Sequence, residues 1–203
     1  MMKGDLKEHL ADTLTPEELE FLYKSYDVIG DIAVIRVPGP LKKHTKLIAK
    51  SIMQINKSVK TALLQVAPVS GDLRLRKLKW IIGEKRTETL HREYGCLFKV
   101  NLTECYFSPR LSFERMRVAQ LVQAEEVVVN MFAGVGCYSV IIAKHSKAEK
   151  VYSIDINPVA VKYIEDNARL NKVDDRVVSV EGDAKVVIAE KLHNTADRVL
   201  MPL

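Results

Sequence analysis

From Val127 onward, short apolar runs alternate regularly with amphipathic stretches; before that point strand-like and helix-like segments follow one another less evenly. Residues 1–26 carry apolar and charged positions at helical spacing. Thr15-Pro16-Glu17-Glu18 has the composition of a helix start, with a hydroxyl cap, a proline at the first helical position and acids in the first turn. Val28 to Val37 is strand-like, and Pro38-Gly39-Pro40 ends it. Residues 42–57 predict a helix and Val59 to Val66 a strand. Between Gly71 and Gly83, Leu73 and Leu75 share one parity, while Leu78, Trp80 and Ile82 share the other. A period-2 pattern that changes phase predicts a bulge near Arg76-Lys77, or two strands in place of one. Residues 86–101 predict a hairpin turning at Glu93-Tyr94-Gly95, and Arg117 to Val122 a short linking helix.

The later part reads β-α-β-α-β-α-β. Its strands fall at 127–132, 150–155, about 176–180 and 197–201, and its helices at 138–147, 158–170 and 184–192. This alternation predicts a parallel sheet with right-handed crossovers. The expected architecture is α/β: a helical extension over 1–26, a small α/β domain over 27–115, and a parallel-sheet domain over 116–203. The chain reaches Leu203 on its fourth strand, whereas a complete doubly wound sheet has several more. The sheet is therefore expected to be incomplete at its carboxyl end.

The first strand-to-helix junction carries the most specific chemistry. After Val127-Val128-Val129 comes Asn130-Met131-Phe132-Ala133-Gly134-Val135-Gly136, and Asp155 ends the next apolar run 21 residues past Gly134. Glycines let a backbone approach a ligand closely, and an acid at this distance accepts hydrogen bonds from ribose hydroxyls. The bland alternative is a helix-packing turn with no ligand. Asp183, after the third strand, is placed to accept from an adenine amino group; it also suits an N-cap for the helix at 184–192, and both roles can hold together.

Composition narrows the class. Apolar residues make up 47% of 203, enough for real cores. The strongly charged first thirty residues do not resemble a signal peptide, and no apolar run approaches the roughly 20 residues of a membrane helix. Cys96, Cys105 and Cys137 lack metal-like spacing and read as reduced thiols of a cytoplasmic protein; no metal site is expected. The net charge of +5 suits a polyanionic partner. Residues 74–86 concentrate six cations (Arg74, Arg76, Lys77, Lys79, Lys85 and Arg86) against one acid, Glu84. Such a cluster is either a solvated strand face or a phosphate-contacting surface.

Phe132-Ala133-Gly134-Val135-Gly136, Asp155-Ile156-Asn157-Pro158 and Glu181-Gly182-Asp183 resemble the S-adenosylmethionine-binding set of class I methyltransferases, which have a Rossmann-like parallel sheet. Further segments extend the likeness: Tyr26-Asp27-Val28-Ile29-Gly30-Asp31, Gly71-Asp72-Leu73-Arg74-Leu75-Arg76, Ile82-Gly83-Glu84, Leu90-His91-Arg92-Glu93-Tyr94-Gly95, Tyr106-Phe107-Ser108-Pro109-Arg110-Leu111 and Glu114-Arg115. With these, residues 25–203 resemble the archaeal and eukaryotic tRNA guanine-N1 methyltransferases that act at position 37, 3′ of the anticodon. The resemblance implies S-adenosylmethionine as cofactor, the anticodon arm of tRNA as partner, and a monomer.

The resemblance also assigns roles. Guanine N1 is protonated at neutral pH, so methyl transfer to it needs a base, worth roughly 10²–10⁴ in rate. Deprotonation pushes charge toward O6, where a fixed donor is needed. Glu114 matches the family's proposed base and Arg74 its O6 stabiliser. Phe132, Ala133, Gly134, Gly136, Asp155, Asn157 and Asp183 match the cofactor set. Arg76, Lys77, Lys79, Tyr106 and Arg110 are the expected RNA contacts. Against these stand a local ion pair of Glu114 with Arg110 or Arg117 and the solvated-face reading of the cations. Asn130 occupies a position that commonly holds an acid, and Met201-Pro202-Leu203 one that commonly reads Asn-Leu-Pro. Related enzymes of wybutosine synthesis share the cofactor half and move an aminocarboxypropyl group; the Ser-Pro-Arg-Leu form favours methyl transfer. A module that binds cofactor and RNA without turnover is the remaining alternative.

Overall fold

Four leucines, Leu6, Leu10, Leu14 and Leu22, draw the amino-terminal segment into a buried core and so make it more than an extension. The computed structural model describes residues 6–202. Its first helices are α1 (Leu6–Leu10) and α2 (Pro16–Phe21). The expected start of α2 is a full capping box: Glu18 N–H donates to Thr15 Oγ1 at 3.2 Å, and Thr15 N–H donates to Glu18 Oε2 at 3.1 Å.

The single strand expected over Val28 to Val37 is a hairpin of β1 (Asp27–Ile29) and β2 (Ile32–Ile35). Gly30 turns the chain at φ 57°, and Ile29 pairs with Ile32 across the two-residue loop. A 3-10 turn over Gly39–His44 leads into α3 (Thr45–Ile55), the crossover from β2 to parallel β3 (Thr61–Gln65). β4 (Leu78–Gly83) pairs antiparallel with β3 and completes a sheet in the order β1-β2-β3-β4. Ile48, Ala49 and Ile52 of α3 pack into the core with the four leucines. Gly83 has φ 91°, and a Cβ there would lie 2.1 Å from the Lys60 carbonyl oxygen, so no other residue fits.

The phase change expected at Arg76-Lys77 marks a boundary. Ser70 bridges to Leu75 around a tight turn in which Gly71 and Arg74 have positive φ, and the ladder resumes only at Leu78. By compactness, the described residues up to Val69 form one unit with Arg76–Thr89; Ser70–Leu75 and the described residues from Leu90 form a second.

The second unit contains most of a hairpin of β5 (Glu88–Glu93) and β6 (Cys96–Asn101), turning at Tyr94-Gly95 with φ of 46° and 73°. Then come α4 (Ser112–Leu121), β7 (Val127–Asn130), α5 (Cys137–His145), β8 (Lys150–Asp155), α6 (Pro158–Leu170), β9 (Val177–Glu181), α7 (Ala184–Lys191) and β10 (Arg198–Leu200). The expected parallel sheet forms in the order β10-β7-β8-β9. Val129, Ile154, Ala184, Val187 and Leu192 make one of its cores.

Residues 90–115, assigned from sequence to the small domain, pack with this second unit. Two side chains on α6 are a main cause. Asn167 accepts from Lys99 N–H at 2.7 Å and donates to the Lys99 carbonyl at 3.1 Å; Asn171 does the same at Leu97, at 2.8 and 2.7 Å. Four helical residues rise about 6 Å and two strand residues about 6.6 Å, so amides at i and i+4 match alternate residues of a strand edge. The two asparagines thus satisfy the backbone of β6 as a neighbouring strand would.

Candidate cofactor and catalytic site

The strands β7, β8, β9 and β10 all deliver their carboxyl ends to a cavity of about 430 Å³ within the second unit. Phe132 follows β7, Ile156 follows β8, Asp183 follows β9 and Pro202 follows β10. Chain order runs from β7 outward to β9 and then returns to β10 on the other side of β7. That reversal is the topological switch point at which open α/β sheets bind ligands. Tyr106 and the turn carrying Asp72, Leu73 and Arg74 complete the lining.

The glycine bend is built for close approach. Gly134 and Gly136 have φ of 55° and 84°, and a Cβ on Gly136 would press on Ile164 of α6 at 3.4 Å. Gly134 N–H donates to Asp155 Oδ2 at 2.7 Å, and Asn157 N–H donates to Asp155 Oδ1 at 2.9 Å. Backbone donors thus fix the carboxylate, which keeps a lone pair for a ligand. Burial raises the Asp155 carboxyl above the ordinary aspartate range, against the pull of backbone donors from Asn157, Gly134 and Ile156. Asn157 itself is buried. It caps α6 by accepting from Val159 N–H at 3.0 Å and donates to the Glu104 carbonyl at 2.7 Å, which ties the Tyr106 segment to the bend.

Of the seven expected cofactor residues, Phe132, Gly134, Asp155 and Asp183 line the cavity. Ala133, Gly136 and Asn157 lie behind it as supports. Asp183 Oδ1 caps α7 by accepting from Lys185 N–H at 2.8 Å and Val186 N–H at 3.4 Å, and the exposed side chain still lines the cavity. Phe132 and Ile156 expose apolar surface there. Asn130 is fully buried: its Nδ2 donates to Ser139 Oγ at 3.1 Å, and its Oδ1 has no partner.

Arg74 and Tyr106 line the same cavity; Glu114 and Arg110 do not. Glu114 lies in the first turn of α4, where both oxygens accept from Arg117, at 2.7 Å from Nε and 2.6 Å from an Nη. This hydrogen-bonded ion pair holds the Glu114 carboxyl below the usual range, so the local pair weighed from sequence is the state observed. Next to it, Arg115 points into the interior. It donates to both oxygens of Glu93, at 2.9 and 2.7 Å, and to the Ser108 carbonyl at 2.9 Å, and lies over the Phe107 ring. Burial alone would raise Glu93, but His91 and Arg115 hold its carboxyl below the ordinary glutamate value. The His91-Arg92-Glu93 and Glu114-Arg115 motifs thus meet in a buried pair that fixes the Ser108-Pro109 loop.

The cation cluster does not form one face. Arg76 is buried and pairs with Asp27 at 3.1 Å, which removes it from the expected RNA contacts. Arg86 pairs with Asp31 at 2.5 Å and with Glu84 at 2.7 Å. The neutralising aspartates come from the β1–β2 hairpin, far away in sequence. Lys77 and Lys79 remain exposed, within the first unit. Among cavity residues without an expected role are Asp72 and Ile156, which lie inside the quoted motifs, and Lys185, two residues past Asp183. Burial pushes the thiols of Cys96, Cys105 and Cys137 up to about 11, 12 and 12, so they are neutral and unreactive. No metal-binding group occurs among the described residues, and no helix there is long and apolar enough to cross a membrane.

Residues 89–203 match the TRM5/TYW2 methyltransferase domain, and residues 6–87 match the TYW2 N-terminal domain. The chain belongs to the TRM5/TYW2 methyltransferase family. It is 46% identical over 189 residues, 93% of its length, to tRNA (guanine(37)-N(1))-methyltransferase Trm5b of Pyrococcus abyssi, of which it spans 55%. It is 36% identical over 176 residues, 87% of its length, to a tRNA(Phe) (4-demethylwyosine(37)-C(7)) aminocarboxypropyltransferase of Methanocaldococcus jannaschii, covering 66% of that protein. Among solved structures, aTrm5 in complex with tRNALeu superposes with a TM-score of 0.86 at 32% identity, covering all of this chain and 59% of that one. M. jannaschii TYW2 in complex with AdoMet superposes with a TM-score of 0.64 at 32% identity, covering 88% of this chain and 64% of that one.

Proposed function

We propose that this chain carries the methyl-transfer unit of a tRNA methyltransferase that uses S-adenosylmethionine to methylate N1 of guanine at position 37, in the anticodon arm. The observation that carries the reading is the convergence of the glycine bend, Asp155, Asp183 and Arg74 on one cavity at the carboxyl ends of the parallel strands. The Trm5b relative, the tRNA complex of aTrm5 and the AdoMet complex of TYW2 support it.

The residues present fit the cofactor. The carboxylate of Asp155 keeps a lone pair beside a bend with no side chain at Gly134, and Phe132 and Ile156 supply apolar walls for a purine. Asp183 faces the same space as an acceptor. When bound, S-adenosylmethionine supplies an electrophilic sulfonium methyl. Arg74, which makes no ion pair among the described residues, is free to meet charge that develops on guanine O6. Glu114 takes the N1 proton only after exchanging Arg117 for the base, so docking of tRNA has to open that ion pair. Arg110 and Tyr106 flank the entering nucleotide, which leaves its stack to reach the methyl group. Lys77 and Lys79 contact the phosphate backbone.

Incubation with radiolabelled-methyl cofactor and unmodified tRNA transcripts tests this. Label is expected in the transcript and is expected to vanish when the guanine 3′ of the anticodon is replaced. Label that survives the replacement refutes the assigned position. One observation favours a second reading. The match of residues 6–87 to the TYW2 N-terminal domain, with the aminocarboxypropyltransferase relative, supports transfer of that larger group from the same cofactor to a wybutosine precursor.

A further inference from the structure

A second cavity, of about 560 Å³, lies within the first unit. Its walls carry Trp80 on β4, Lys79 beside it, and Lys42, Lys43 and Lys46 from the 3-10 turn and the start of α3. Trp80 is 42% exposed, large for an aromatic that a sheet could bury. Its indole N–H donates to the Glu84 carbonyl at 3.2 Å, which holds the ring in one orientation. Lys43 is paired with Glu18 at 3.0 Å, while Lys42, Lys46 and Lys79 make no ion pair among the described residues.

We propose that this groove is a docking site for a single-stranded stretch of RNA, with one base stacked on Trp80 and its phosphates held by Lys42, Lys46 and Lys79. The inference rests on the proposed action on tRNA and adds a contact outside the methyl-transfer cavity. The chemistry favours RNA over an anionic lipid surface. A membrane-binding face projects apolar side chains outward, whereas here the aromatic ring lines a concavity within the about 300–1,000 Å³ range of small-ligand pockets. A fixed aromatic face between cations stacks any base and tracks the backbone, as in single-strand binders. No carboxylate lines the groove.

Trp80 is the sole tryptophan of the chain, so its emission reports on this site alone. Titration with an anticodon-arm transcript is expected to quench it, at concentrations where anisotropy of labelled RNA also shows binding. Trp80→Ala should weaken binding about 5- to 150-fold, the equivalent of about 1–3 kcal/mol per stacked base, and Trp80→Phe should restore most of it. The Lys42→Ala/Lys46→Ala/Lys79→Ala variant should lower the salt slope of binding by about 2, at about 0.7 per single-strand phosphate. Bound RNA without a change in emission refutes the site, as does an unaltered salt slope. Quenching by anionic vesicles but not by RNA makes the groove a lipid surface and also refutes it. Methyl incorporation read in the same samples separates the two claims: quenching without incorporation leaves the groove standing and sinks the activity, and incorporation without quenching does the reverse.

Discussion

Arg115→Met removes one half of the most deeply buried ion pair described here. The Arg115 and Glu93 side chains are 4% and 1% exposed, and the variant leaves a carboxylate in that setting with the His91 ring, at 3.7 Å, beside it. The Ser108 carbonyl loses its donor as well. Breaking a buried pair on one side costs about 3–5 kcal/mol, whereas replacing both partners by apolar groups is often close to neutral. At a urea slope of about 2 kcal/mol/M, the midpoint should fall by about 2 M in Arg115→Met, and the double variant Glu93→Leu/Arg115→Met should recover much of the loss. The pH dependence should weaken. In the unaltered chain the Glu93 carboxyl lies below its unfolded value, so its contribution is present above that value and is lost as pH falls through the folded one. Without the guanidinium only His91 opposes burial, so the carboxyl should rise from its present position and the loss of stability on acidification should shrink. Urea unfolding followed by circular dichroism, across pH, reads both effects. A single variant that costs under about 1 kcal/mol, or a double variant that costs the sum of the two singles, refutes the assignment of stability to this pair.

Asn167→Ala and Asn171→Ala should each orphan backbone groups of β6, at about 1–3 kcal/mol per unpaired group, and hydrogen exchange at Lys99 and Leu97 respectively should accelerate; unchanged protection would contradict the clamp. Arg117→Ala frees Glu114, so its carboxyl should rise toward the ordinary value and the pH midpoint of methyl transfer at subsaturating tRNA, which reports the free enzyme, should rise with it; a midpoint that stays put removes Glu114 as the titrating base. Glu114→Gln should slow that same step by roughly 10²–10⁴ and spare cofactor affinity measured by calorimetry. Cofactor affinity should fall on acidification as Asp155 gains a proton, starting at a higher pH than for an ordinary aspartate because its carboxyl is raised; Asp155→Asn should abolish that dependence.

The parallel sheet was legible because its strands are short apolar runs separated by helices, two of which are capped by the side chains of Asn157 and Asp183. The cavity was legible for the same reason: Gly134, Asp155 and Asp183 follow strand ends, and a parallel sheet brings those ends together. What the sequence hid were pairings between distant positions. Arg76 and Arg86 read as free cations until Asp27 and Asp31 were placed against them. Nothing in the sequence marks Asn167 and Asn171 as partners of β6, yet their amides serve its backbone. The β1–β2 turn was missed because Gly30-Asp31 interrupts an otherwise continuous apolar run by only two residues. Glu114 was named from resemblance alone, and its partner Arg117, three residues on, decides the state in which it is found.

The nucleoside formed at position 37 tests the central claim most directly. After reaction of the chain with S-adenosylmethionine and an unmodified transcript, digestion and mass spectrometry should yield guanosine methylated on N1. An aminocarboxypropyl nucleoside from a precursor-bearing tRNA, with no methylguanosine from the plain transcript, would contradict it.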